Sequence, residues 1–126
     1  MACFYVGFCY KQRKNGVLKI GQTSKNTPAA RAANIRTKEH FQILGYLTID
    51  ADKPNMLFVE SFVRKELARK PDLEHFGNDH FAYRITEGMK YEQAESLAAE
   101  ALGLAKMTCE AEGLPYSEGI KTYKRG

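Results

Sequence analysis

Bulky apolar side chains recur at every second position over residues 3–10, which is the pattern of a half-buried β-strand. The other side of this segment carries small side chains except at Tyr5. The segment is therefore predicted to be a strand that packs its apolar row on a core and presents one phenol on the opposite face. The apolar row consists of Phe4, Val6, Phe8 and Tyr10.

A second strand is predicted over residues 17–23, where apolar residues alternate with Lys19. Whether Lys19 shares a sheet face with Tyr5 depends on the connection between the strands. A two-residue turn at Asn15-Gly16, a dipeptide typical of hairpins, would place the two side chains on opposite faces. A connection with an odd number of residues, or a bulge at Gly16, would place them on the same face. The functional interpretation below requires the second arrangement.

The remainder of the chain is predicted to contain three helices and two strands. Thr27 and Pro28 suit the N-cap and first position of a helix that runs to about Thr37. Asp52 and Pro54 open a second helix, which ends before Pro71. The other elements are a strand at 41–49, a short strand at 80–85 and a helix over 89–112 that ends at Gly113.

The resulting order, β-β-α-β-α-β-α, indicates a small α+β domain with helices against one mixed or antiparallel sheet. We assign it to residues 1–113 and assign residues 114–126 to a basic tail. The 126 residues suit one domain of a size that folds without disulfides or metals.

Cysteine content and hydropathy indicate the cellular compartment. The three cysteines form no Cys-x-x-Cys pair, which favours reduced thiols over a disulfide framework or a zinc site. The longest apolar run is far shorter than a membrane span, and the N-terminus lacks the pattern of a signal peptide. We therefore expect a cytoplasmic protein.

Charge is distributed unevenly along the chain. The net charge is +4, yet residues 1–38 contain eight Lys and Arg and no Asp or Glu, so the remainder sums to −4. Clustered cations attract polyanions, of which nucleic acid is the commonest in a cytoplasm. The alternative is a solvated basic face without a partner. The cations assigned to nucleic-acid contact are Lys11, Arg13, Lys14, Lys25, Arg36 and Lys38.

Glu60 is the first candidate for chemistry, because it falls inside a broad apolar arc of the second helix. A carboxylate on the inner face of a helix is costly unless a cation neutralises it. One alternative is a rim position paired with Arg31, Arg36 or Lys19. The other is a ligand for Mg²⁺ or Mn²⁺, ions that prefer oxygen donors and keep several waters. Glu66 also encroaches on the arc, which consists of Met56, Val59, Phe62, Val63 and Leu67.

Tyr5, Lys19 and Arg31 together suit acid–base chemistry better than any of them alone. A free phenol has a pKa of about 10 and is a poor base at neutral pH. Two cations near Tyr5 would lower its pKa, because opposite charge favours the ionised form. Arg31 also suits a two-pronged contact with phosphate oxygens, a role for which Arg36 competes. An ordinary strand tyrosine and a solvated helix arginine are the alternatives.

The stretch EHFGNDHF collects four residues of metal-binding type, Glu74, His75, Asp79 and His80. Its spacing matches no zinc pattern, and no cysteine lies nearby. A loop that leads into a strand is the favoured interpretation. The chain also lacks a Walker-type phosphate loop and the Gly-x-Ser-x-Gly motif.

The order of FYVGF, LKIGQT, an arginine on the next helix and a glutamate on the following helix resembles the GIY-YIG nuclease superfamily. The resemblance covers residues 3–85 and implies a small three-stranded, mainly antiparallel sheet flanked by helices. The first glycine of the motif is replaced by Cys3. Lys19 replaces the tyrosine of the second motif half, as in a branch common in phage and bacterial proteins. The positions that match the motif residues are Tyr5, Lys19-Ile20-Gly21, Arg31, Glu60 and the late asparagine, Asn78.

The resemblance implies a metal-dependent endonuclease that hydrolyses DNA phosphodiester bonds in a bacterial or phage-infected cell, with RNA left open as a substrate. Tyr5 would activate a water, helped by Lys19 and Arg31, and Arg31 would steady the phosphorus. Glu60 would hold one divalent ion, Mg²⁺ or Mn²⁺. Two other functions fit the sequence: a non-catalytic nucleic-acid-binding module on the same fold, and a protein-interaction module whose acidic third helix docks a partner.

Overall fold

The computed structural model describes residues 2–10, 16–25, 27–28, 40–77 and 79–119, which form an α+β fold. The predicted helix that begins at Thr27 lies, from residue 29 onwards, outside the described residues. In chain order the elements are β1 (Ala2–Cys9), β2 (Val17–Thr23), β3 (Phe41–Ile49), α1 (Lys53–Ala68), β4 (Leu73–Phe76), β5 (His80–Tyr83), α2 (Tyr91–Glu112) and β6 (Tyr116–Glu118).

The described strands form one antiparallel sheet in the order β4-β5-β2-β1-β3-β6. The three-stranded sheet that the resemblance implies is therefore wrong in number, since six described strands take part. β1, β2 and β3 lie at the centre, while β5 pairs with β2 and β6 pairs with β3, so that the sheet is extended at both edges. β4 and β6 are four and three residues long, too short for hydrophobic periodicity to reveal them. β6 also lies within the segment assigned to the basic tail.

Local signals set the start of α1 and the end of α2 as predicted. The Asp52 carboxylate accepts a hydrogen bond of 3.0 Å from the backbone N–H of Asn55, and Pro54 lies in the first turn of α1. Helix α2 begins two residues later than predicted and ends at Gly113, whose φ of 68° favours glycine. Neither of these helices is long and apolar enough to cross a membrane.

Both described helices pack on one face of the sheet, towards which the even-numbered residues of β1 point. Gly45 of β3 allows α2 to approach closely, because the Leu102 side chain occupies the space that a Cβ atom would fill. The core on this face includes Phe4, Val6 and Phe8 of β1, Leu18 and Ile20 of β2, Met56, Val59, Val63 and Leu67 of α1, and Leu97, Ala98 and Ala101 of α2.

The opposite face, the Tyr5 face, carries a second apolar cluster. A β-bulge in the β1–β3 pairing shapes it, since Tyr5 pairs with Tyr46 but Gly7 pairs with Ile43. The extra residue in β3 brings both Ile43 and Tyr46 onto this face despite their unequal parity. The cluster consists of Cys3, Tyr5, Cys9, Val17, Phe41, Ile43, Tyr46 and Ala82.

The cysteine thiols are expected to be unreactive in the folded protein. Cys3, Cys9 and Cys109 are fully buried. Burial raises the pKa of the Cys3 thiol to about 12 and that of Cys109 to about 11. Because the thiolate is the reactive form, a disulfide reagent near pH 8 should label no thiol in the native protein and all of them after denaturation. Rapid labelling of a thiol in the native protein would contradict this burial.

Candidate active site

The connection between β1 and β2 decides which face Lys19 occupies. Cys9 pairs with Val17, so seven residues, 10–16, join the paired ends of the strands. Because that number is odd, odd positions of β1 oppose odd positions of β2. The two-residue turn at Asn15-Gly16 would have given the opposite parity and is not the connection. Tyr5 and Lys19 therefore lie on the same face of the sheet.

Tyr5 packs directly against Gly21, the glycine of the KIG segment. The two residues oppose each other in register. A Cβ atom on Gly21 would lie 2.6 Å from Cζ of Tyr5 and closer still to its hydroxyl oxygen. The Tyr5 ring also meets Phe41 in a T-shaped contact with centroids 6.0 Å apart. A glycine is required at this position because the phenol occupies the space of any side chain there.

Lys19 lies one step along the same face, opposite Gly7 and diagonal to Tyr5. Diagonal neighbours on one face are about 7–8 Å apart, within reach of a long side chain. The Lys19 Nζ donates a hydrogen bond of 2.8 Å to Oδ2 of Asp79, and 7% of the lysine side chain is exposed. A buried ammonium needs such a carboxylate to offset its lost hydration. Asp79 therefore stabilises the charged form of Lys19 in this position.

Asp79 makes contacts with three residues, of which Lys19 is one. Its Oδ1 lies 3.0 Å from Nδ1 of His80, and its backbone carbonyl accepts a hydrogen bond of 3.0 Å from the N–H of Ile20. Burial raises the pKa of the Asp79 carboxyl, but hydrogen bonds from His80 and Lys19 outweigh it and hold the pKa below its ordinary value. Asp79 is therefore ionised throughout the neutral range and serves as a fixed anion.

Glu60 lines an open groove beside α1, here called the Glu60 groove. Glu60 is half-buried, while its neighbour Leu57 is 46% exposed. The apolar arc of α1 is therefore narrower than predicted, and Glu60 lies at its rim. Asp79, which contacts Lys19, also lines this groove. In the described part of the chain, the groove measures about 430 Å³ and is lined by Leu57, Glu60, Arg64, His75, Gly77 and Asp79.

The surroundings of Glu60 suit a Mg²⁺ or Mn²⁺ ion that keeps several water ligands better than an ion whose ligands are all protein side chains. Mg²⁺ is commonly bound by one or two carboxylates, with waters and substrate phosphates as its other ligands. The Glu60 groove is open and has room for these ligands. Within the residues that the structure describes, no three His, Cys, Asp or Glu side chains group closely enough to hold a metal.

Of the remaining predicted site residues, the structure describes Lys25 alone. Lys25 is exposed just beyond the end of β2, where its backbone N–H donates to Oγ1 of Thr23 at 3.4 Å. Lys19, counted among the cations of the basic segment, is buried in an ion pair with Asp79 and adds little to a basic surface. The predicted residues that lie outside the described ranges are Lys11, Arg13, Lys14, Arg31, Arg36, Lys38 and Asn78.

In the EHFGNDHF stretch, β5 begins at His80 as predicted, but residues 74–76, predicted as loop, belong to β4, which pairs with β5. His75 stacks on Phe81 on one face, with centroids 4.8 Å apart, and Phe76 stacks on His80 on the other, at 5.5 Å. Asp79, which the sequence interpretation left without a functional role, proves to be the partner of Lys19. Lys19 itself was the sequence feature that could have indicated this partner, because a cation buried between apolar residues of a strand needs a carboxylate to pair with.

The chain was compared with models of protein families, with curated proteins and with solved structures, and no match was found.

Proposed function

We propose that this protein is a metal-dependent endonuclease of the GIY-YIG type that hydrolyses DNA phosphodiester bonds. The observation that carries the proposal is the contact between Tyr5 and Gly21, because it joins the tyrosine of one motif half to the glycine of the other. Lys19 lies on the same face, and its charge is stabilised there by Asp79. The central strands β1 to β3, followed by a helix that carries Glu60, have the order that the resemblance implies.

In this proposal Tyr5 is the general base. Its phenolate oxygen takes a proton from a water molecule as the water oxygen forms a bond to phosphorus. The bond from phosphorus to the 3′ oxygen breaks, and that oxygen takes up a proton from solvent. The Lys19 ammonium favours the phenolate by opposite charge. Arg31 is assigned to the non-bridging phosphate oxygens, to which a guanidinium donates two parallel hydrogen bonds.

Glu60 is assigned to hold the divalent ion at the edge of the Glu60 groove. A bound Mg²⁺ or Mn²⁺ supplies Lewis-acid stabilisation of the leaving 3′ oxygen. Helix α1, which carries Glu60, packs on the face of the sheet opposite Tyr5. Asp79 links the two sides, because it lines the Glu60 groove and also contacts Lys19. The basic segment at 1–38 supports the assignment of a polyanionic substrate.

One observation favours a non-catalytic nucleic-acid-binding module instead. Tyr5 is 1% exposed, and a general base must come within hydrogen-bond reach of the proton that it accepts. The endonuclease proposal therefore requires that DNA binding uncover the phenol, whereas a binding module has no such requirement.

Cleavage of supercoiled plasmid in Mg²⁺ or Mn²⁺ tests the proposal. We expect the wild type to nick the plasmid and Glu60→Gln to reduce the rate by about 100-fold or more, because it removes the carboxylate assigned to the ion. Glu66→Gln is the matched control. Glu66 is also half-buried on α1, but it pairs with Arg69 at 3.1 Å and is not among the described residues that line the Glu60 groove. Glu66→Gln should cut at nearly the wild-type rate.

The outcomes separate the candidate functions. Salt-sensitive DNA binding without cleavage in either ion would favour the binding module. Neither binding nor cleavage would favour a protein-interaction module. Equal losses in Glu60→Gln and Glu66→Gln would contradict a specific role for Glu60 and point to the helix as a whole.

A further inference from the structure

Asp79 lies outside the motif residues, yet it touches both parts of the candidate active site. Its Oδ2 contacts the Lys19 Nζ at 2.8 Å on the Tyr5 face, and the residue also lines the groove that contains Glu60. We propose that Asp79 is a positioning residue that holds the charged Lys19 side chain beside Tyr5. This proposal rests on the proposed endonuclease function.

The surroundings of Asp79 restrict where its carboxylate can point. Its backbone is docked on β2 through the 3.0 Å hydrogen bond from the Ile20 N–H. The next residue, His80, pairs in register with Lys19, and its Nδ1 lies 3.0 Å from Oδ1 of Asp79. The His80 ring is stacked on Phe76 at an interplanar angle of 24°. A series of fixed contacts therefore runs from Phe76 through His80 and Asp79 to Lys19.

The position of Lys19 matters because its proposed effect on Tyr5 is electrostatic. The interaction between two charges falls with their separation, and it is strongest where water is excluded. A lysine side chain has four rotatable bonds, so on its own it would sample many positions. Asp79 removes that freedom and offsets the cost of burying the ammonium.

The competing explanation is that the Lys19–Asp79 pair only fastens β5 to β2. The two strands are paired at Leu18 with Phe81 and at Lys19 with His80, so an ion pair at this place also joins the sheet. A joining role predicts that Asp79→Asn and Lys19→Met each lower the free energy of unfolding, while the folded protein still cleaves with the wild-type rate constant. A positioning role predicts that loss of Asp79 affects the chemical step only while Lys19 is present.

A double-mutant cycle separates these roles. The proteins are the wild type, Asp79→Asn, Lys19→Met and the double variant, with Asp79→Glu as a charge-conserving variant. Each is tested for plasmid cleavage with protein in excess, which yields a single-turnover rate constant and an apparent DNA Kd, and for thermal unfolding. The control is Glu118→Gln, which breaks an exposed ion pair with Lys106 of 2.7 Å at the far edge of the sheet.

We expect Asp79→Asn and Lys19→Met each to reduce the rate constant by about 100-fold, the effect of misplacing a catalytic group by about 1 Å. The double variant should be no slower than Lys19→Met, since Asp79 acts through Lys19. The apparent Kd for DNA should change by less than about threefold, because substrate contacts remain. Asp79→Glu should recover part of the rate, and Glu118→Gln should match the wild type.

Several results would overturn the role of Asp79. One is a wild-type rate constant for Asp79→Asn, and another is an equal further loss when Asp79→Asn is added to Lys19→Met. If Asp79→Asn alone fails to fold because it leaves a buried ammonium unpaired, Lys19→Met and the double variant decide: equal rates support the role, and a slower double variant overturns it. Absence of cleavage by the wild type would overturn the endonuclease function and this role together.

Discussion

Replacement of Tyr5 by phenylalanine should reduce the rate of DNA cleavage by about 100- to 10,000-fold, because general-base catalysis typically contributes a factor of this size. The ring is retained, so its T-shaped contact with Phe41 and its packing over Gly21 should persist. We therefore expect the free energy of unfolding to change by no more than about 1.5 kcal/mol, the net value of a hydrogen bond. Plasmid nicking and thermal unfolding measure the two quantities.

Tyr46→Phe is the matched control for this variant. Tyr46 opposes Tyr5 across the β1–β3 pairing, belongs to the same apolar cluster and is likewise buried. It has no assigned role in catalysis, so Tyr46→Phe should nick plasmid at a rate close to that of the wild type. Wild-type cleavage by Tyr5→Phe would refute the assignment of Tyr5 as the base. Equal losses in the two variants would point to a general effect on the Tyr5 face.

The second large effect is expected from Gly21→Ala. The new methyl group would overlap the ring and hydroxyl of Tyr5, so the phenol must leave its place against β2. Overpacking of a well-packed core typically costs about 1–3 kcal/mol, and we expect a loss of this size in the free energy of unfolding. Cleavage should fall as well, because the displaced phenol no longer lies beside Lys19. Thermal unfolding and plasmid nicking measure these losses.

Gly103→Ala in α2 is the control for Gly21→Ala and should change stability in the opposite direction. A Cβ atom at Gly103 would meet nothing within 4 Å, and a helix interior favours alanine over glycine by roughly 0.5–1 kcal/mol. Repeating Gly21→Ala in a Tyr5→Ala background tests the cause directly, since removal of the ring should remove most of the cost. An unchanged cost in that background would mean that the contact with Tyr5 is not the reason for glycine at this position.

Local signals predicted most of the central elements. The alternation of apolar residues marked β1 and β2, and β3 has the predicted ends, Phe41 and Ile49. Asp52 caps α1 and Gly113 ends α2, because each acts through the backbone of its own few neighbours. Such interactions depend on sequence nearby, and so they can be recognised without knowing the fold.

The strands and partners that were missed depend on residues far apart in the chain. β6 exists because residues 116–118 pair with β3, some seventy positions earlier in the sequence. Lys19 and Asp79 are separated by 60 positions and meet only because β5 pairs with β2. No local pattern specifies which strand edge a four-residue segment will join.

The residue pattern alone was enough to predict the α+β class, both ends of β3, the start of α1, the end of α2, and one phenol and one lysine on neighbouring strands. Three features followed only from the folded arrangement of the strands: Tyr5 and Lys19 share a face, Gly21 makes room for the phenol, and Asp79 pairs with the lysine. The physical reason is that side chains alternate with a period of two. A single residue more or less in the connection between β1 and β2 would have turned Lys19 to the other side of the sheet.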